Sequence, residues 1–165
     1  MSLTHKKDVP KLVKKYREEL PNIDRDLLRR LIRVENNITN PSELKKLDRC
    51  LKKTFQKDAN SIAISKVKID SKYEKHLETI RNENLANPII AYFDLLLFID
   101  TLPSHIKNKL GLDLQTATGL IMKANQWRPF EEQIQKQERL KTVISIVVLS
   151  FINTIPMLLH GDKEK

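Results

Sequence analysis

The stretch Thr142–Leu159, TVISIVVLSFINTIPMLL, is more apolar over more residues than any other part of the chain, and it decides the expected fold. Its apolar side chains fall on every side of a helical wheel, and such a helix is either buried in protein or embedded in lipid. The run is shorter than the ~20 residues that a bilayer span requires, and Pro156 interrupts its end. We therefore expect a buried central helix, with a C-terminal membrane anchor as the alternative.

The composition favours helices around this stretch. Only three glycines occur in 165 residues, too few for the many tight turns of an all-β chain. Amphipathic patterns predict seven to nine helices, so the predicted fold is all-α, a single compact multi-helix domain around the apolar C-terminal helix. We expect a flexible arm over 1–7, the domain over 8–160 and a polar tail over 161–165. The lone Cys50 and the lack of a signal peptide predict an intracellular, cytoplasmic protein.

The positive charge is concentrated early in the chain. Residues 1–85 carry 21 Lys/Arg against 13 Asp/Glu, whereas residues 86–165 carry 9 against 8, and the whole chain has a net charge of +9. We expect a basic surface over 8–85 and the apolar core half over 86–160. This asymmetry indicates an anionic partner such as nucleic acid or an acidic lipid surface, and simple solubility is the alternative.

Three amphipathic helices are predicted in the basic half, over about 10–20, 24–36 and 41–57. Asp8 and Asn40 are placed to cap the first and third helices. The second and third are joined by a short loop, which predicts an antiparallel helical hairpin with a basic outer surface. Guanidinium groups bind phosphate well, so this surface is predicted to contact nucleic acid. The alternative is an ordinary charged helix face in contact with solvent. The predicted nucleic-acid contacts are Arg25, Arg29, Arg30, Arg33, Lys45, Arg49, Lys52 and Lys53.

The second half of the chain is predicted to be helical as well. Residues 58–70 are rich in Ile and Val, and we predict a helix there, with a strand over 61–70 as the alternative. A further helix is predicted over 72–84, and one option is that the two helices are continuous. Asn87-Pro88 opens a second apolar helix over 89–102. Its Asp94 has apolar neighbours on the helix, which predicts either an exposed polar stripe or a buried acid paired with a base.

Residues 105–124, HIKNKLGLDLQTATGLIMKA, have the rhythm of a helix-turn-helix unit. A short helix would end at Gly111, and a second helix capped by Asp113 would follow. Any two helices joined by a glycine turn resemble this unit, so the pattern is weak evidence. Trp127 and Phe130 follow in a linker, where we expect them to pack over the core, with an exposed anchor for a protein partner as the alternative.

The sequence carries no pattern typical of a catalytic, metal or cofactor site. The four histidines are scattered, and there is no HExxH, no CxxC and no glycine-rich phosphate loop. We therefore expect a non-enzymatic protein without a cofactor. The leading hypothesis is a small basic binding protein whose hairpin contacts DNA or RNA phosphates. The alternatives are a subunit that binds an acidic protein partner or self-associates, and then a C-terminally membrane-anchored protein.

Overall fold

The computed structural model describes residues 8–20, 23–56 and 69–163 of the chain. These residues form seven α-helices and no strand, which confirms the all-α prediction and the predicted range of seven to nine helices. The chain divides into two compact units, Met1–Ser61 and Ile62–Lys165. The expectation of one domain with an arm and a tail stays a prediction. The helices are α1 (Val9–Glu19), α2 (Arg25–Asn36), α3 (Pro41–Gln56), α4 (Ser71–Ala86), α5 (Pro88–Asp100), α6 (Ser104–Ala124) and α7 (Gln133–Lys163).

In the first unit, both predicted N-caps are confirmed. The carboxylate of Asp8 accepts a hydrogen bond from the Lys11 amide at 3.2 Å, and the Asn40 side chain accepts one from the Ser42 amide at 2.8 Å. These contacts satisfy amides that a helix start otherwise leaves without a partner. Helices α1, α2 and α3 pack against one another. Their shared core includes Val13, Tyr16, Leu28, Leu31, Ile32, Leu47 and Leu51.

The hairpin of α2 and α3 is antiparallel, as predicted. The Arg29 guanidinium on α2 binds the Asp48 carboxylate on α3, with Nε 2.5 Å from Oδ1. Arg29 lies eight residues before Asn37 and Asp48 lies eight residues after Asn40, so the two residues are equally far from the loop. Equal spacing on either side of a short loop is the register of two antiparallel helices. The turn is made by Asn37, whose φ of 51° lies in the left-handed region that asparagine tolerates.

In the second unit, α7 packs against α4, α5 and α6. The stretch that decides the fold lies within it, and the prediction of a buried central helix is confirmed. Val143, Val148 and Ile155 have no exposed surface, and Leu149 is half-buried. The Asn84 amide on α4 donates to the Ser145 carbonyl at 3.3 Å and to its hydroxyl at 3.1 Å, which fixes α4 on α7. The apolar packing face of α7 therefore includes at least one polar contact.

By length and composition, α7 is also the one helix of the described chain that could cross a bilayer. The candidate span is Gln133–Gly161, and 61% of its most apolar window is buried inside the protein. Core helices of soluble proteins pass the same test. The helix runs through Pro156 to Lys163, past the boundary expected from the sequence.

The helix-turn-helix prediction over 105–124 is wrong. This segment is one continuous helix, α6, and Gly111 lies inside it without a positive φ. The buried residues Ile106, Leu110, Ala117 and Leu120 keep one helical stripe on either side of Gly111. Packing of that stripe outweighs the ~1 kcal/mol that a glycine costs inside a helix. The segment therefore has no turn that would set a recognition helix apart.

The segment 58–70 lies mostly outside the described residues, so the predicted helix there stays a prediction up to residue 68. Continuity of this segment with the next helix is wrong, because Ile69 and Asp70 are not helical. Asp70 caps α4 through the Lys72 amide at 3.1 Å, which sets the start of α4 at Ser71. In α5, Asp94 is half-buried and hydrogen-bonds the carboxyl of Glu83 rather than a base.

Candidate nucleic-acid interface

Five cationic side chains cover one face of α3. All five are exposed, and they recur at spacings of one, three and four residues, so they lie on adjoining positions of the helix surface. At 1.5 Å per residue, the eight steps from first to last span about 12 Å. This surface is called the α3 basic face below. Its members are Lys45, Lys46, Arg49, Lys52 and Lys53.

The other side of α3 explains why these side chains point outward. Leu47 and Leu51 are completely buried against the rest of the first unit, and Leu44 and Phe55 are half-buried. A fully buried leucine stabilises the fold by roughly 1.5–3 kcal/mol relative to an exposed one. The two leucines alone therefore fix the rotation of α3 about its axis. The basic outer surface predicted for this helix is confirmed at the five positions of the α3 basic face.

The ion pair between Arg29 and Asp48 changes the electrostatics of the face. Asp48 is an acid in the middle of α3, and Arg29 offsets its charge through two hydrogen bonds of 2.5 and 3.4 Å. The pKa of Arg29 is raised, chiefly by its hydrogen bond to Asp48. A part-exposed pair of this kind adds at most about 1 kcal/mol to stability. Its larger effect is to leave the neighbouring lysines without an opposing charge from Asp48.

The four arginines of α2 that are predicted to contact phosphate differ in exposure. Arg25 and Arg30 are exposed, whereas Arg29 is held by Asp48. Arg33 is half-buried, and its Nε atom is buried without a hydrogen-bond partner among the described residues. Of the eight predicted phosphate contacts, the six with exposed side chains are Arg25, Arg30, Lys45, Arg49, Lys52 and Lys53.

A groove of about 470 Å³ lies between α1 and α3 and adds cations that the sequence prediction left out. Lys14 and Arg17 of α1 line it together with Lys53, and Glu18 is the acid in its wall. The Arg17 guanidinium also lies 4.3 Å from the centre of the Phe55 ring. Lys53 belongs to both the groove and the α3 basic face, so the cationic surface continues from α3 onto α1. The remaining lining residues are Pro10, Val13, Cys50 and Thr54.

The division of the chain into units sharpens the charge asymmetry. The first unit has 16 Lys/Arg and 9 Asp/Glu, a net charge of +7, and the second has 14 and 12, a net charge of +2. Most of the net charge therefore belongs to the unit that carries the α3 basic face. A concentrated positive field of this kind attracts polyanions and raises their association rate.

Trp127 and Phe130 are exposed, so the expectation that they pack over the core is wrong. Trp127 retains 55% of its surface in solvent, and Phe130 is fully exposed. Both lie in the connection between α6 and α7. The sequence signal was misleading because a lone tryptophan is usually largely buried. The alternative, that these aromatic side chains anchor a protein partner, stays a prediction. Both side chains are accessible, as that role requires.

Within the described ranges, no group of three or more His, Cys, Asp or Glu side chains could hold a metal ion. Comparisons with protein-family models, with curated proteins and with solved structures found no match for this chain.

Proposed function

We propose that the first unit binds nucleic-acid phosphates through the α3 basic face. The observation that supports this function best is the set of five exposed cations on two turns of one helix. The single acid among them is already neutralised by Arg29. Beside the ~12 Å of this face, a DNA duplex presents roughly seven phosphate charges. The number of positive charges per unit length on the α3 basic face thus approaches the number of negative charges per unit length on the duplex.

Binding of this type is driven by counterion release and is nearly blind to sequence. Five neutralised phosphates give a slope of about −4.5 for the logarithm of the binding constant against the logarithm of salt concentration. Between 50 and 200 mM salt, such a slope weakens binding to a duplex about 500-fold. We expect no strong preference among base sequences, because lysines on a convex helix face contact phosphates rather than base edges.

The test is binding to labelled duplex DNA, single-stranded DNA and RNA, followed by fluorescence anisotropy at low salt. The variant Lys45→Glu/Arg49→Glu/Lys52→Glu reverses three charges on the face without touching the Arg29–Asp48 pair. A matched control, Lys75→Glu/Lys109→Glu/Lys141→Glu, changes the net charge equally on exposed positions of the second unit. We expect the first variant to lose binding and the control to keep most of it. Equal losses would show that only net charge matters, and unchanged binding of the first variant would refute the proposal.

A second candidate function, that of a self-associating subunit, is favoured by an apolar stripe on α5. Ile89, Ile90, Phe93 and Leu97 are 39%, 47%, 61% and 69% exposed, and they recur at helical spacing. Contiguous exposed apolar side chains are typical of surfaces that bury against another chain. We propose that two copies of the second unit associate through this stripe.

Sedimentation velocity over a range of protein concentrations tests self-association. We expect the wild-type chain to form a dimer whose population rises with concentration. Phe93→Ser/Leu97→Ser should shift it to monomer, because it removes the two most exposed side chains of the stripe. A wild-type chain that stays monomeric at all concentrations would contradict this candidate.

A further inference from the structure

The connection between α6 and α7, residues 125–132, is held in place by a buried ion pair. The Arg139 guanidinium on α7 donates from Nη2 to the Glu131 carboxylate at 3.1 Å and to the Gln126 carbonyl at 2.6 Å. The two side chains retain only 5% and 9% of their surface in solvent. Glu131 also accepts a hydrogen bond from the Arg128 amide at 3.3 Å. Three points of this connection are thus tied to one another, and we call it the aromatic loop.

The aromatic loop displays Phe130 in a strained conformation. Phe130 has a φ of 64°, in the left-handed region that bulky residues avoid, and its side chain is fully exposed. A phenylalanine that is neither packed nor relaxed adds nothing to the stability of the unit. Strained residues of this kind concentrate at binding sites, where the surrounding structure holds them in place. Phe130 is therefore a candidate for contact with a ligand.

The side chains around Phe130 combine apolar surface with positive charge. Trp127 is half-exposed, and the Lys136 ammonium lies 4.6 Å from the centre of its ring. Ile134, at the start of α7, is 71% exposed. Glu131 forms an ion pair with Arg139. Glu132, two residues after Phe130, is the exposed acid of this connection. The exposed apolar side chains here are thus Phe130 and Ile134. Apart from Glu131, the charged residues nearest to them in the sequence are the half-buried Arg128 and Lys136 and the exposed Glu132 and Glu138.

We propose that the aromatic loop inserts Phe130 and Ile134 into the interface of a lipid bilayer that contains anionic lipid. Phenylalanine and isoleucine supply the apolar surface, and tryptophan and lysine are the residues that favour the headgroup level. Lys136 adds attraction to anionic headgroups. Two features favour lipid over a protein pocket: Phe130 and Ile134 are both largely exposed, and Lys136 lies against the half-exposed Trp127 ring. This inference concerns the second unit and does not depend on nucleic-acid binding by the first.

The test uses Trp127 as its own reporter, because it is the only tryptophan in the chain. Full-length protein is mixed with vesicles of phosphatidylcholine, with or without phosphatidylserine, and the emission of Trp127 is recorded. We expect a blue shift with both vesicles, reached at lower lipid concentration with phosphatidylserine. We also expect quenching by lipids brominated along the acyl chain.

The variant Phe130→Asn removes the apolar side chain with a residue that tolerates a positive φ, so the loop keeps its conformation. It should weaken vesicle binding roughly 10- to 100-fold, the effect of one buried aromatic side chain. Leu112→Asn on α6, at a position that is 71% exposed and outside the α5 stripe, is the matched control and should bind as the wild type does. The variant Lys45→Glu/Arg49→Glu/Lys52→Glu tests whether the α3 basic face causes the signal. It should keep the blue shift, because vesicle binding through that face alone would leave Trp127 in water.

Three results would overturn the proposal. The first is no blue shift with either vesicle, which would leave a protein pocket as the occupant. The second is a blue shift that Phe130→Asn leaves unchanged, since insertion would then not use Phe130. The third is equal affinity of Lys45→Glu/Arg49→Glu/Lys52→Glu for both vesicles, which would remove anionic lipid from the assignment, since this variant lacks the cations of the α3 basic face.

Discussion

Replacing Glu131 by glutamine should destabilise the second unit, because it leaves the charge of Arg139 buried without a counter-charge. Arg139 and Glu131 are among the least exposed charged side chains of the described chain. Removing one partner of a buried ion pair costs about 3–5 kcal/mol. Glutamine can still accept a hydrogen bond from Nη2, and the Gln126 carbonyl remains at 2.6 Å, so the lower end of that range applies. For a chain of this size, a loss of about 3 kcal/mol lowers Tm by roughly 10 °C.

The double variant Glu131→Leu/Arg139→Met is the decisive comparison. Two atoms of the Arg139 guanidinium, Nε and Nη1, are buried without a hydrogen-bond partner among the described residues. Apolar side chains of similar volume would remove that cost together with the pair, so the double variant should be at least as stable as Glu131→Gln. Urea unfolding followed by circular dichroism and by the fluorescence of Trp127 measures both variants. A loss below about 0.5 kcal/mol for Glu131→Gln would refute the reasoning, as would a double variant less stable than the single one.

Three further substitutions test other parts of the account. Glu83→Gln should raise Tm at neutral pH and leave it unchanged well below pH 4.5, the ordinary pKa of glutamate. Measuring Tm of both proteins over a series of pH values tests this. The pKa of Glu83 is raised, chiefly by its hydrogen bond with Asp94, so the wild type loses stability as rising pH ionises the second carboxyl and the glutamine variant does not. Phe130→Gly should leave stability unchanged or raise it by up to about 1 kcal/mol in urea unfolding, because glycine adopts a positive φ without strain. Leu28→Ala should cost about 2–5 kcal/mol in the same assay, since Leu28 is completely buried; a loss under about 1 kcal/mol would contradict its place in the core.

Features that depend on local physics could be predicted from the sequence. The caps at Asp8 and Asn40 involve side chains within three residues of the amides that they bind. The buried stripe of α3 and the apolar stretch of α7 follow from periodicity, which is a property of the helix itself. The predicted outward side chains of α3 were correct for the same reason.

Features that depend on tertiary packing could not be predicted in this way. Glycine often ends a helix, but α6 continues through Gly111 because the residues on either side are buried along one stripe. The Arg29–Asp48 pair requires the register of two helices, and the Glu83–Asp94 pair requires the packing of α4 on α5. The spacing of four places Arg25, Arg29 and Arg33 on one side of α2, but it could not show that Asp48 binds Arg29. Phe130 precedes Glu131, which pairs with the buried Arg139 eight residues later in the chain, and no local pattern shows that contact.

The most direct test of the proposed function is the salt dependence of duplex DNA binding by the wild type and by Lys45→Ala/Arg49→Ala/Lys52→Ala. Each cation that contacts a phosphate contributes about −0.9 to the slope of log binding constant against log salt concentration. We predict a wild-type slope of about −4.5 and a slope shallower by about 2.7 for the variant. If the variant has the same slope as the wild type, the α3 basic face does not contact the phosphates and the proposed function is wrong.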